Sequence, residues 1–135
     1  MNYVIAFLGF LTSFLVLDSI WISQVVVGMY RTQVNHLMAQ DANVLAAVLF
    51  YILYAAAAVF FCRPAIKRGS PRLAVVYGGT TGGLAYGTYA LTNFAVLDGW
   101  TWQLVVADVL WGITVTAVCC AIAVFVTRWR NTSVT

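Results

Sequence analysis

The sequence predicts an all-α integral membrane protein, a four-helix transmembrane bundle, and three observations predict it. Of 135 residues, 63% are hydrophobic and 8% charged, with a mean hydropathy of +0.92, whereas soluble domains carry about 25% charged residues. The apolar residues gather in four runs, each near the ~20 residues that cross a bilayer as a helix. Six of the seven basic residues fall after the second and fourth runs. So few charges cannot cover the surface of a small water-soluble domain, and the same composition excludes a disordered chain. Basic residues that sit between apolar runs and form no long patch argue against nucleic-acid binding. The chain, 1–135, reads as a single membrane domain.

The first helix is expected over about 3–27. Its run is broken only by Thr12, Ser13, Asp18, Ser19, Ser23 and Gln24. It has no basic leading region and no small-residue cleavage site, so it reads as a retained helix and not a signal peptide. A polar segment, 28–42, follows, with Arg31, Gln33, Asn35, His36, Gln40 and Asp41. The second helix, 43–62, is expected to stop at Arg63-Pro64, because proline breaks the hydrogen-bond ladder and restricts the residue before it. Residues 63–72, with four basic side chains, Gly69 and two prolines, have the chemistry of a tight turn. The third helix, 73–97, is rich in glycine. The fourth, 101–127, ends in Arg128-Trp129-Arg130, and the tail 131–135 is too short and polar to fold alone.

Four crossings place both chain ends and the 63–72 loop on one side, which then carries Arg63, Lys67, Arg68, Arg72, Arg128 and Arg130 against Arg31 opposite. The positive-inside rule puts both termini in the cytoplasm. Tyr30, Trp100 and Trp102 then fall at the outer interface and Trp129 at the inner one, where amphipathic rings are favoured. Gly79, Gly83 and Gly87 repeat every four residues, the spacing that lets another helix approach closely, with Gly78 and Gly82 in a second row.

Two acids interrupt the apolar runs, Asp18 and Asp108. Each costs about 2.5–3.5 kcal/mol near a helix centre on insertion scales, so each needs a compensating partner or a function. Counted along their helices, both carboxyls lie at similar depth in the outer half of the bilayer. An inverted repeat would place them at opposite depths and is rejected. Each opens the same pattern, Asp18-Ser19-Ile20-Trp21 and Asp108-Val109-Leu110-Trp111, which puts acid and indole on one helix face. That geometry suits an indole N–H donating to a carboxylate, or a ring beside a bound cation. Gly82, Tyr86, Tyr89 and Asn93 follow helical spacing on the third helix, and Tyr51 and Tyr54 share a face of the second. One outer-leaflet pocket is thus expected from Asp18, Trp21, Tyr51, Tyr89, Asn93, Asp108 and Trp111. No lysine or arginine lies in the apolar runs to pair with the acids, which leaves Arg31, His36 or an external cation.

Cys62, Cys119 and Cys120 make no metal spacing and no even disulfide set. The last two read as packing residues. No metal set, cofactor motif, phosphate loop or nucleophile with its base is found, so no cofactor and no catalytic residue is assigned.

The elements Phe50-Tyr51-x-Leu53-Tyr54, Phe61-x-Arg63-Pro64-Ala65, Tyr86-Gly87-Thr88-Tyr89-x-Leu91-Thr92-Asn93, Gly99-Trp100 and Asp108-x-x-Trp111-Gly112 together resemble a bacterial family of predicted inner-membrane proteins, domain of unknown function 2177. The resemblance covers nearly the whole chain, Asp18-x-x-Trp21 included, and departs at Ala90, where many members carry aspartate. It implies a multi-pass four-helix protein of the bacterial inner membrane without an established activity. Three functions stay open: a bundle binding or translocating a proton, a cation or a small polar or lipidic ligand; a structural or accessory membrane subunit; and a subunit of a lipid-modifying enzyme. Enzyme activity is the least supported, since only the paired carboxyls speak for it. The partners expected are the lipid bilayer and either a second copy of the chain or another membrane protein.

Overall fold

A computed structural model of the chain describes residues 2–132. The first rod comprises α1 (Asn2–Trp21), a π-helical turn (Ile22–Val26) and α2 (Val27–Gln33) without a break, and a 3-10 turn, Asn35–Leu37, follows it. Then come α3 (Val44–Phe61), the short α4 (Arg63–Arg68), α5 (Pro71–Val96) and α6 (Trp102–Thr132). Among the described residues there is no strand.

The helix ends follow local chemistry. Asn43 caps α3 by accepting the Ala46 N–H at 3.0 Å, and Ser70 caps α5 by accepting the Leu73 N–H at 3.4 Å, each relieving one of the unpaired amides of a first turn. α4 closes at Gly69, whose φ of +57° is the left-handed conformation glycine adopts cheaply.

Several boundaries differ from the sequence expectation. The first rod continues past residue 27 through Gly28 to Gln33, where Met29, Arg31 and Gln33 are good helix formers. Residues 63–72 hold a helical turn: Pro64 sits in the first turn of α4, where its missing N–H costs nothing. α6 continues through Arg130 to Thr132, so the first two residues of the expected tail are helical, and 133–135 lie outside the described residues.

By length and hydropathy alone, three of the four expected crossings stand out. Among the described residues, three stretches are long and apolar enough to cross a membrane, Asn2–Gln33, Val44–Phe61 and Trp102–Arg130. The expected third crossing, α5, has 26 residues, about 39 Å of helix, but its hydropathy is diluted by five glycines and four threonines. Those small residues serve packing. A Cβ on Gly82 would lie 2.0 Å from the Gly112 carbonyl oxygen, and one on Gly78 2.7 Å from the Thr116 carbonyl oxygen. The tightest contact therefore runs along Gly78 and Gly82. Gly79 and Gly83 instead face Ile113, and Gly87 meets Val109 only at 4.0 Å.

The register is antiparallel between α5 and α6, between α1 and α6, and between α1 and α3. Gly78, Gly82 and Gly87 of α5 meet Thr116, Gly112 and Val109 of α6, and Gly9 of α1 lies beside Ala123 and Val126 of α6. Phe10 and Phe14 of α1 pack on the Tyr54 ring of α3. The core along these seams includes Phe10, Phe14, Val115, Cys119, Cys120 and Val124, with Cys62 at its edge, all buried. At one end the Arg63 guanidinium lies 5.7 Å from the Tyr3 ring centre and Gly69 lies beside the Arg128 stem. At the other, Gln33 accepts from the Thr101 hydroxyl and donates to Gln103 at 3.1 Å. Leu45, Leu53, Leu84 and Phe125 point outward, the surface that a membrane-embedded bundle gives to lipid.

Candidate functional site

Asp18 is the last member of a buried stripe, Ala6, Phe10, Phe14 and Asp18, that α1 turns toward its neighbours. It is 5% exposed. The Tyr51 hydroxyl of α3 donates to its Oδ2 at 2.8 Å, and the Trp111 Nε1–H of α6 donates to its Oδ1 at 2.9 Å. The Tyr86 hydroxyl of α5 makes a third, weaker contact with Oδ1 at 3.5 Å. Donors from three other helices thus converge on one carboxylate, the arrangement a buried charge requires.

The second acid is treated differently. Asp108 is 7% exposed, and among the described residues no hydrogen-bond donor reaches its buried Oδ2. The expected pairing of acid and indole within each motif is replaced by a crossed one: Trp111, from the motif of Asp108, serves Asp18, while Trp21 stacks on Trp111 with ring centres 4.6 Å apart and planes 5° from parallel. One acid is saturated and the other is left without a donor.

Both acids line a single cavity of about 370 Å³, together with Trp21, Ile22, Val26, Tyr30, Phe50, Tyr54, Ala85, Tyr86, Tyr89 and Trp111. None of these is basic, and neither Arg31 nor His36 reaches it; His36 lies beside Gly99 instead. Of the residues read from the sequence as a pocket, Asp18, Trp21, Tyr89, Asp108 and Trp111 line this cavity. Tyr51 holds Asp18 without lining it. Asn93 does not line it; its carbonyl caps the end of α5 by accepting the Leu97 N–H.

Residues 3–125 match the family model described as "Predicted membrane protein (DUF2177)". The chain belongs to this family. No curated protein and no solved structure matches the chain.

A further member of the cavity wall, Tyr30, comes from a position that the sequence assigns to the outer interface. Tyr30 bonds Tyr89 through their hydroxyls at 3.2 Å, so Tyr89 finds its partner in another phenol and not in an aspartate. Trp100 is buried, 8% exposed, with its ring edge-on to Tyr30 and Tyr89, whereas Trp102 and Trp129 are exposed as an interfacial position requires. The π turn explains Tyr30. Across the twelve residues from Asp18, a strict α-helix would leave Tyr30 about 120° from the acid's face; the wider turn at 22–26 absorbs the excess, and Asp18, Ile22, Val26 and Tyr30 share one wall. The signal in the sequence is that four-residue spacing, carried longer than an α-helix can hold it on one face.

Proposed function

We propose that this membrane protein binds a cation in the acidic, aromatic cavity, with Asp108 as the anionic partner and Asp18 as the fastening of the bundle. One observation carries the reading: a buried carboxylate oxygen without a donor, on a cavity wall that has no basic side chain. An intramembrane carboxylate left unpaired costs several kcal/mol, which a bound cation or a proton removes. Asp18 favours the accessory, structural reading for itself, since its donors tie α1 to α3 and α6.

The same proposal includes a single domain with four crossings and both termini in the cytoplasm of the bacterial inner membrane. Support for the fourth crossing is the antiparallel register of α5 along α6, which gives α5 the membrane depth of its apolar partner. Support for the orientation is the gathering of basic residues at one end. Translocation would follow if the bound cation exchanged with both sides.

The test is thermal unfolding of the purified protein in detergent, with and without added cations. A ligand at a hundred times its Kd stabilises the folded state by about 2.7 kcal/mol. Stabilisation that is present in the natural protein and lost in Asp108→Asn supports the reading. A melting point indifferent to every cation and to pH overturns it.

A further inference from the structure

We infer that the cation is an organic ammonium ion with apolar substituents, held at its charge by Asp108 and at its body by aromatic rings, and admitted sideways from the bilayer. This rests on the cation-binding reading and specifies its ligand class. Size is the first argument: about 370 Å³ is far more than a bare metal ion occupies and lies within the range of small-molecule sites, about 300–1,000 Å³.

The wall chemistry is the second. A hard cation takes about six to eight oxygens, and the oxygens here are already engaged: Asp18 by its donors, Tyr30 and Tyr89 by each other, and Tyr54 by Thr116 at 2.7 Å. The Asp108 carboxylate, with its buried Oδ2, is left uncommitted, which suits one positive charge. Seven of the twelve lining residues are aromatic. Ring faces attract ammonium groups through their quadrupole and attract alkyl substituents by dispersion, the combination that recognises quaternary and alkylated amines. The third argument is access. Ile22, Phe50, Ala85 and Tyr89 line the cavity and are also exposed on the lateral surface of the bundle, so its mouth lies between the first rod and α3 on one side and α5 on the other.

The experiment titrates benzyltrimethylammonium into the full-length protein in maltoside micelles by calorimetry. Neopentylbenzene, its uncharged isostere, and sodium and potassium ions are titrated in parallel. Saturable binding of the ammonium, with the isostere at least tenfold weaker and with affinity falling at least tenfold in Asp108→Asn, supports the inference. Binding of sodium or potassium without the ammonium overturns the ligand class and leaves the cation reading standing; binding of nothing overturns both. Ammonium binding that is unchanged in Asp108→Asn removes Asp108 as its partner and overturns the assignment.

Ala85→Trp fills the mouth and serves also if Asp108→Asn fails to fold. At wild-type melting temperature it should weaken ammonium binding at least tenfold, and unchanged binding overturns the sideways route. Soluble dihexanoylphosphatidylcholine distinguishes the source of the amine: competition with the probe assigns the site to a lipid headgroup, and absence of competition assigns it to a free amine, either result keeping the ammonium class.

Discussion

Asp18 and Asp108 are the same residue type at similar depth in one cavity, yet their partners give them opposite energetics. Removing the charge of Asp18 weakens bonds from Tyr51 and Trp111, and hydrogen bonds to charged groups are worth about 1.5–3 kcal/mol each. Asp18→Asn should therefore destabilise the bundle by about 2 kcal/mol or more, and Tyr51→Phe by a similar amount. Asp108→Asn breaks no donated bond and relieves a buried charge, so without ligand it should leave stability unchanged or raise it. Unfolding of the three variants in detergent decides this, and equal losses for both aspartate variants would contradict the division of roles. The acids and the indoles were legible in the sequence, because a charge in an apolar run stands out and i, i+3 spacing defines a face. The crossed pairing of Trp111 with Asp18 was not, since periodicity within one helix does not say which helices meet.

At the scale of elements, two backbone features position these side chains. The first is the seam between α5 and α6, where the Gly112 carbonyl occupies the place of a Gly82 side chain and the Tyr86 ring lies where a Cβ on Gly112 would be, 2.2 Å from its Cγ. Gly82→Ala forces backbone against backbone, which no rotamer change relieves, and should cost about 3 kcal/mol or more. Gly79→Ala meets Ile113 at an ordinary 3.6 Å and should be neutral or stabilising by up to ~1 kcal/mol through helix propensity. Comparing the two melting temperatures tests the register. Glycine spacing in the sequence pointed to the row Gly79, Gly83 and Gly87, whereas the closest approach lies on the adjacent row of Gly78 and Gly82, only about 100° away. The second feature is the π turn. Deleting exposed Gln24 from it places Tyr30 eleven positions after Asp18, and eleven α-helical steps end within about 20° of three whole turns. The deletion should straighten the rod and keep Tyr30 on the cavity wall, with folding and cation binding retained; inserting an alanine there should rotate Tyr30 away and weaken binding. Loss of folding on deletion would show that the π turn has another role.

At the scale of the whole molecule, the apolar composition and the basic asymmetry were legible from the outset, while the proposed crossing of α5 rests on packing that hydropathy does not register. A helix diluted by glycine and threonine enters a bilayer readily only beside a neighbour that shields its backbone, and α6 lies antiparallel along it from Gly78 to Gly87. If α5 crosses, the basic end and the end bearing Arg31 lie on opposite sides of the membrane; if it does not, α6 has to start and the first rod has to end on different sides, although Gln33 bonds both Thr101 and Gln103. Cysteines in place of Gln40, Lys67 and Asp98, all exposed, separate these arrangements in a chain whose buried Cys62, Cys119 and Cys120 are replaced by alanine, since Asp98→Cys shares the side of Gln40→Cys only if α5 crosses. An impermeant maleimide added to intact cells should label Gln40→Cys and Asp98→Cys and spare Lys67→Cys until the membrane is opened. Labelling of Lys67→Cys in intact cells would reverse the orientation, and labelling of neither Gln40→Cys nor Lys67→Cys would place both segments on the inner side, a result incompatible with an odd number of crossings between them and hence with α3 as a span.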